Sequence, residues 1–224
     1  MTKKNWHEHA GLVTLCVRNF IDGEYTDCLG DDTIEKYSPR DGRLLYSFGC
    51  GNGTEVEQAV ISARQAFDDG RWSQLSVDER KAALYRLADL LEENKDTFAL
   101  YESLDVGKPI SQALMGDVPS AAAILRSSAE GADKLLATAG VEGGNVGYQA
   151  RKPVGVVGGI LGWNFPLSLA ANKVGPALAM GNSLVLKPSE FTSLSTSFLA
   201  ALVLEAGVPP GVLNVVNGAG ATVG

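Results

Sequence analysis

Ready-made reactive groups are few in this chain of 224 residues. It holds three cysteines, Cys16, Cys28 and Cys50, and two histidines. An odd, small number of cysteines in a core-rich chain excludes a disulfide scaffold and reads as reduced thiols in the cytoplasm. The histidines fall in His7-Glu8-His9, two ligands at i, i+2. That is too few to hold a metal without convergent partners, so the segment reads as a solvated tail. Positive charge is short as well: 19 Lys and Arg face 26 Asp and Glu, a net charge of −7. A nucleic-acid binder needs a basic face for phosphates, and adsorption to anionic lipid needs the same, so neither partner is expected. No apolar run approaches the ~18 residues of a transmembrane helix. The first apolar stretch, residues 12–17, contains Thr14 and is too short and polar for a secretory core. A G-x-x-x-x-G-K-[ST] phosphate loop is absent, as are internal repeats and low-complexity tracts.

What is present is globular. Hydrophobic residues make up 45% and charged residues 20%, which does not fit a disordered chain. The length suits one large or two small domains. The 26 glycines exceed the usual ~7% share and predict tight turns and close backbone approaches.

The first fifty residues read as short strands and turns, with a hairpin at Asp22-Gly23 in "NFIDGEYTD". Helices follow. Thr54 and Glu57 suggest a capping box ahead of Val56, Ala59, Val60, Ala63 and Phe67 at helical spacing. Ser76 and Glu79 repeat the box ahead of a stripe at Leu84, Leu87 and Leu91, with Arg86, Asp89 and Glu93 on the wet face. A third helix covers Asp96 to Asp105 and stops at Gly107-Lys108-Pro109. A fourth runs from Pro119 to Ala137. "GVEGGNVG" then reads as a linker or turn and "YQARKP" as an extended strand.

From Val154 the pattern is regular. "VGVVGGIL", "SLVLKP" and "GVLNVVNG" are apolar runs that read as strands buried on both faces. Between them lie two helices. One has Pro166 in its first turn and Gly181 past its end; the other starts near Thr192 and stops at Gly207. The order β-α-β-α-β is half of a doubly wound, Rossmann-like parallel sheet. The expected class is therefore α/β: an N-terminal helical arm plus the first half of that sheet, with truncation expected at Gly224. The expected division is 1–139 (hairpin plus helices), 140–153 (linker or bridging strand) and 154–224 (the sheet).

Ligands bind at the C-terminal ends of such strands, where three groups fall. "GAGATVG", residues 218–224, has the spacing G-x-G-x-x-x-G. It departs from the strict dinucleotide pattern and alone reads as a strand-to-helix turn. In "KPSE", Lys187 to Glu190, the Glu can accept from vicinal ribose hydroxyls and the Lys can donate to a hydroxyl or balance a phosphate; a surface ion pair worth under ~1 kcal/mol is the plainer alternative. In "GWNFP", Gly162 to Pro166, a buried Asn164 must be hydrogen-bonded. It either caps a helix or supplies an oxyanion donor worth ~3 kcal/mol. Lys173, inside an apolar helix, either snorkels to solvent or serves as a buried proton relay.

These groups occur together and in order, and the stretch from Pro153 to Gly224 resembles the aldehyde dehydrogenase superfamily. The likeness rests on W-N-F-P, the N-K pair, G-N-S, K-P-S-E and G-V-P-P-G-V-L-N-V-V, with "FIDGEYTD", "LDVGKP" and "DKLLATAG" upstream in the same order, and spans residues 18 to 224. The resemblance implies an enzyme, one that oxidises an aldehyde to a carboxylic acid with NAD, or alternatively NADP, through a cysteine thiohemiacetal. Asn164 would stabilise the oxyanion, and Lys173 would belong to the proton-relay network. Lys187 and Glu190, with Pro188 and Ser189 between them, would contact the adenosine ribose. Gly162 and Trp163 would run along the cofactor, and Gly220 would lie near the adenine. Asp105 would belong to a structural monovalent-cation site made largely of carbonyl oxygens.

Two positions depart from the family pattern. Gly162 stands where Pro or Ala is frequent, and Asn172 precedes Lys173 where Trp is common. The family's nucleophilic cysteine and general-base glutamate fall beyond Gly224, and none of Cys16, Cys28 and Cys50 sits in a matching context, so the 224-residue chain alone is expected to be inactive. The pattern is closest to dehydrogenases of amino-, betaine- or γ-glutamyl-aminobutyraldehyde, expected as homodimers or homotetramers in the cytoplasm. The rival readings are a non-catalytic nucleotide-binding pseudoenzyme and a sister enzyme linked to acyl-CoA or acyl phosphate.

Overall fold

The structure, a computed structural model, describes residues 5–30, 32–134, 138–143 and 145–224. After a short helix α1 (Trp6–Ala10) come two hairpins: β1 (Asn19–Ile21) with β2 (Glu24–Thr26), and β3 (Thr33–Tyr37) with β4 (Leu44–Gly49). Asp22 (φ 53°) and Gly23 (φ 84°) both take left-handed backbone at the first turn, the requirement of a type I′ hairpin.

Four helical stretches follow: α2 (Gly53–Asp68), α3 (Val77–Glu93), α4 (Lys95–Val106), and a run made of α5 (Ile110–Gln112), a π-helical segment (Ala113–Asp117) and α6 (Val118–Gly131). The Ser76–Glu79 capping box forms as expected. The box at Thr54 and Glu57 does not. Asn52 is the cap, its Oδ1 accepting from the Thr54 N–H at 2.8 Å, and Glu55 reaches back to the Asn52 N–H at 2.9 Å. Both Asn and Thr are good cap residues; the cap sits two residues earlier than expected, and Glu55 also accepts from the Leu29 N–H at 2.6 Å. Helix α4 ends where expected, with Gly107 left-handed at its C-terminus. The fourth expected helix starts earlier, at Ile110, and closes at Gly131; its expected end at Ala137 lies outside the described residues.

The stretch expected as a linker or turn lies in an antiparallel hairpin, β5 (Thr138–Glu142) with β6 (Asn145–Gln149), so the turn alternative is the one that formed. Then come β7 (Val156–Ile160), α7 (Pro166–Ala179), β8 (Ser183–Lys187), α8 (Leu194–Glu205), β9 (Leu213–Val215) and α9 (Gly220–Val223). Strands β7, β8 and β9 are parallel neighbours, and the sheet order is β2-β1-β9-β8-β7. The N-terminal hairpin thus joins the parallel sheet, with Phe20 opposite Val215.

Buried asparagines make that junction. Asn19 Oδ1 accepts from the Asn217 N–H at 2.7 Å, Asn217 donates to the Arg18 carbonyl at 2.8 Å, and Asn214 Oδ1 accepts from the Asp22 N–H at 3.0 Å. Each satisfies a backbone group that burial would otherwise leave unpaired.

The two faces of the sheet follow the alternation of β8. Leu184 and Leu186 join a large core with Leu84, Leu87, Leu125, Val174 and Leu178. Val185 packs on the other side near Ala59 and Val216. Close contact of α6 with α7 depends on Gly175, where a Cβ would stand 2.5 Å from Ser128 Oγ. Strand β7 departs from the expected burial on both faces. It is the last strand in the sheet order, and Ile160 is 67% exposed.

Candidate functional site

The three strand-end groups meet at one edge of the sheet. The Leu161 N–H donates to the Lys187 carbonyl at 2.9 Å, joining the turn after β7 to the end of β8. Lys187 is itself buried, and its Nζ lies 2.9 Å from Glu190 Oε2. The other oxygen, Oε1, accepts from the Gly220 N–H at 3.4 Å, linking this group to the start of α9. Partial burial works against the charge on Glu190. The Lys187 hydrogen bond and backbone donors outweigh it and hold the carboxyl below its ordinary pKa. An ion pair with a buried ammonium differs from the solvent-screened pair considered as the plainer alternative. Ser189 contributes through its backbone, its carbonyl accepting from Ser193 Oγ at 3.0 Å, while its hydroxyl accepts from the Phe191 N–H at 3.3 Å. Pro188 has no N–H to spend between Lys187 and Ser189 and keeps the chain extended there.

Gly162, Trp163 and Asn164 are all exposed. The burial expected for Asn164 is therefore corrected, and so is its expected part as a helix cap. The N-terminus of α7 has no cap from its own loop; Glu102 of α4 accepts from the Leu167 N–H at 3.1 Å instead. The Asn164 side chain has no hydrogen-bond partner among the described residues, while its carbonyl accepts from Lys108 Nζ at 3.3 Å. Lys173 is exposed rather than buried. Its stem lies beside Gly159 of β7, where a Cβ would meet Lys173 Cγ at 3.5 Å.

Sequence reasoning missed the support beneath these loops. Glu102 and Asp105, one helical turn apart on α4, are both buried. Glu102 Oε1 accepts from the Leu167 N–H and from Ser195 Oγ at 2.6 Å. Asp105 Oδ2 accepts from the Leu194 N–H at 3.1 Å and its Oδ1 from the Tyr46 hydroxyl at 2.7 Å. One helix thus supplies carboxylates to the N-termini of both α7 and α8, where the macrodipole favours negative charge. Burial raises Glu102 to about 7 and Asp105 to about 6, against the hydrogen bonds that favour their anions. Lys108 completes the group. Its Nζ is 2.5 Å from Asp117 Oδ2 and 3.7 Å from Glu102 Oε2, and it stands 4.4 Å from the centre of the Phe165 ring. The available signal was a pair of acids at the buried spacing of α4, alongside Phe98 and Tyr101.

Where a cation was expected beside Asp105, protein groups make the contacts. The Asp105 carbonyl accepts from the buried Lys36 ammonium at 2.8 Å, and both carboxylate oxygens have protein donors. No group of three metal-ligating side chains occurs among the described residues.

Glu190 offers a partly exposed anion at the end of β8, with backbone N–H nearby and apolar Trp163 and Phe165 exposed on the adjoining turn. Those groups fit a polyhydroxylated nucleotide. Known proteins point the same way. The profile described as "Aldehyde dehydrogenase family" matches residues 25–224. The chain is 44% identical over its whole length to aminoacetaldehyde dehydrogenase of Pseudomonas aeruginosa, of which it covers 45%. It is 44% identical over 96% of its length to the NADP/NAD-dependent aldehyde dehydrogenase PuuC of Escherichia coli, of which it covers 44%. Among solved structures, a γ-glutamyl-γ-aminobutyraldehyde dehydrogenase from Burkholderia cenocepacia superposes with TM-score 0.92 at 45% identity, covering 96% of this chain and 44% of that one. An indole-3-acetaldehyde dehydrogenase in complex with NAD+ gives 0.94 at 46% identity, over 97% and 44%. The chain spans less than half the length of these relatives.

Proposed function

The chain belongs to the aldehyde dehydrogenase family, and from that premise we propose that it is the cofactor-binding part of an NAD+-dependent enzyme oxidising an aldehyde to a carboxylic acid. The carrying observation is Glu190, set between the buried Lys187 ammonium and the Gly220 N–H at the strand ends. Its carboxylate accepts from the two hydroxyls of an adenosine ribose, and Lys187 fixes the rotamer that does so. A bound nicotinamide dinucleotide supplies the hydride acceptor. On the neighbouring turn the Asn164 amide, not committed to a protein partner, donates to the oxygen on which negative charge develops during attack on the aldehyde. Lys108 holds that turn by its carbonyl. Lys173, exposed on α7 beside β7, is proposed to move protons at this face.

The proposed substrate class is an aldehyde carrying an amino or amide nitrogen. The names of the aminoacetaldehyde and γ-glutamyl-γ-aminobutyraldehyde relatives support it. Three unpaired cysteines support a reducing, cytoplasmic setting; no helix among the described residues is long and apolar enough to cross a membrane.

The test is calorimetric titration of the protein with NAD+, paired with NADH formation from a panel of aldehydes by the protein that carries this chain. Saturable NAD+ binding, weakened at least about tenfold in Lys187→Met, is expected. Absence of NAD+ binding overturns the reading. Turnover that requires coenzyme A or phosphate assigns the sister class, and NAD+ binding without turnover of any aldehyde assigns the pseudoenzyme.

A further inference from the structure

Lys36 on β3 is a buried cation with no part in the reading above; it is 7% exposed. Its Nζ donates to the Asp105 carbonyl at 2.8 Å and to the Phe191 carbonyl at 2.6 Å. No carboxylate lies within ion-pair distance of it among the described residues. Burial pulls its pKa down, and the nearby Asp105 carboxylate pulls it back up.

The two acceptors come from different elements. Asp105 lies in the last turn of α4, where the helix dipole favours positive charge. Phe191 directly follows Glu190. Backbone carbonyls converging from separate segments are a hard oxygen set, the kind that metal cations without soft character take. Here a compact ammonium fills it.

We propose that Lys36 is a built-in cation: its ammonium takes the place of a free monovalent ion between the Asp105 and Phe191 carbonyls, so that the loop carrying Glu190 is held without potassium or sodium. One charge then joins the β3–β4 hairpin, the end of α4 and the loop after β8. A tethered ammonium does this at any salt composition, whereas a free ion does it only above its dissociation constant. The proposal stands apart from the assignment of Glu190 to ribose, because it concerns what holds the loop and not what the loop binds.

The experiment is thermal unfolding of the protein at one ionic strength in potassium chloride, sodium chloride or choline chloride. Wild type should melt at the same temperature in all three. Lys36→Ser and Lys36→Thr open the carbonyl set. Both should melt several degrees lower in choline chloride and regain most of the loss in potassium or sodium chloride. Lys36→Met fills the same space without charge and should melt lower in every salt, with no recovery. Two results overturn the proposal. One is a wild type that is stabilised by potassium or sodium over choline. The other is failure of both ions to restore either opened variant. Neither readout involves NAD+ or an aldehyde, so failure here is separable from failure of the proposed function.

Discussion

At the scale of single residues, the proposed role of Glu190 implies a preference between two cofactors that differ by one phosphate. The Glu190 carboxylate is held ionised by Lys187, and under the proposed function it would accept from ribose hydroxyls. A 2′-phosphate brings nearly two negative charges toward it. At ~4 Å and an effective dielectric near 20 that repulsion is several kcal/mol before screening, and Lys187 offsets part of it. NAD+ is therefore expected to be preferred over NADP+ without exclusion of NADP+. Glu190→Gln keeps the shape, removes the charge and weakens ribose acceptance, so the NAD+/NADP+ ratio of kcat/KM should narrow about tenfold, or ~1.4 kcal/mol. An unchanged ratio, measured with both cofactors on both proteins, would show that the carboxylate does not set the choice. Asn164 makes a separable prediction. Its side chain supports no helix end, that task falling to Glu102, so Asn164→Ala should leave the melting temperature within about a degree. In the catalytic protein kcat should fall roughly 10²-fold or more, with NAD+ affinity unchanged. A loss of stability matching the loss of rate would return Asn164 to a structural role.

At the scale of elements, the start of α2 separates two residues that sequence alone does not. Thr54 is exposed and its side chain caps nothing, whereas Asn52 and the buried Glu55 accept three backbone N–H groups between them. Denaturant melts should show Thr54→Ala near neutral and Asn52→Ala costing ~1 kcal/mol. Glu55→Ala should cost more, because it leaves the Leu29 and Asn52 donors without their acceptor; equal losses in all three would contradict this assignment. The same contrast marks what was legible. Strands β8 and β9, helices α7 and α8, and the glycine-stopped end of α4 are local patterns, and each formed where apolar spacing and caps placed it. The pairing of β1 with β9 was not legible, because it depends on Asn19, Asn214 and Asn217 meeting across nearly two hundred residues of sequence. An apolar run such as β7 also does not tell whether a strand is covered on both sides or lies at an edge. Within the site, the strand-end groups could be read because topology puts them together. The acids beneath them carried only a weak signal, their spacing with Phe98 and Tyr101 on α4, against the rule that a charged residue on a helix ordinarily faces water.

At the scale of the whole molecule, those acids couple stability to pH. Helix α4 reaches the N-terminus of α7 through Glu102 and that of α8 through Asp105, so the protonation of one helix bears on both loops of the site. Glu102 faces Lys108, Asp117 and Ser195, and its Oε2 has no hydrogen-bond partner. Burial is the largest influence and raises it from 4.5 to about 7. Between those values the unfolded chain has released a proton that the folded chain still holds. The unfolded state then binds fewer protons, so stability contributed by this group falls as pH rises through that window, by up to about 3 kcal/mol. Asp105 adds a fall of the same sign up to about pH 6. Exposed acids such as Glu79 and Asp69, lowered by hydrogen bonds from Ser76 and Arg71, act in the opposite direction at lower pH. The difference between two proteins isolates the buried group. Glu102→Gln keeps an acceptor for the Leu167 N–H and cannot ionise. Its melting temperature relative to wild type should therefore climb steadily from pH 5 to pH 7.5, with the two proteins furthest apart at the acid end or crossing near neutrality. A relative melting temperature that stays flat or falls over that range would mean that Glu102 is ionised in the folded protein throughout, with Lys108 outweighing its burial.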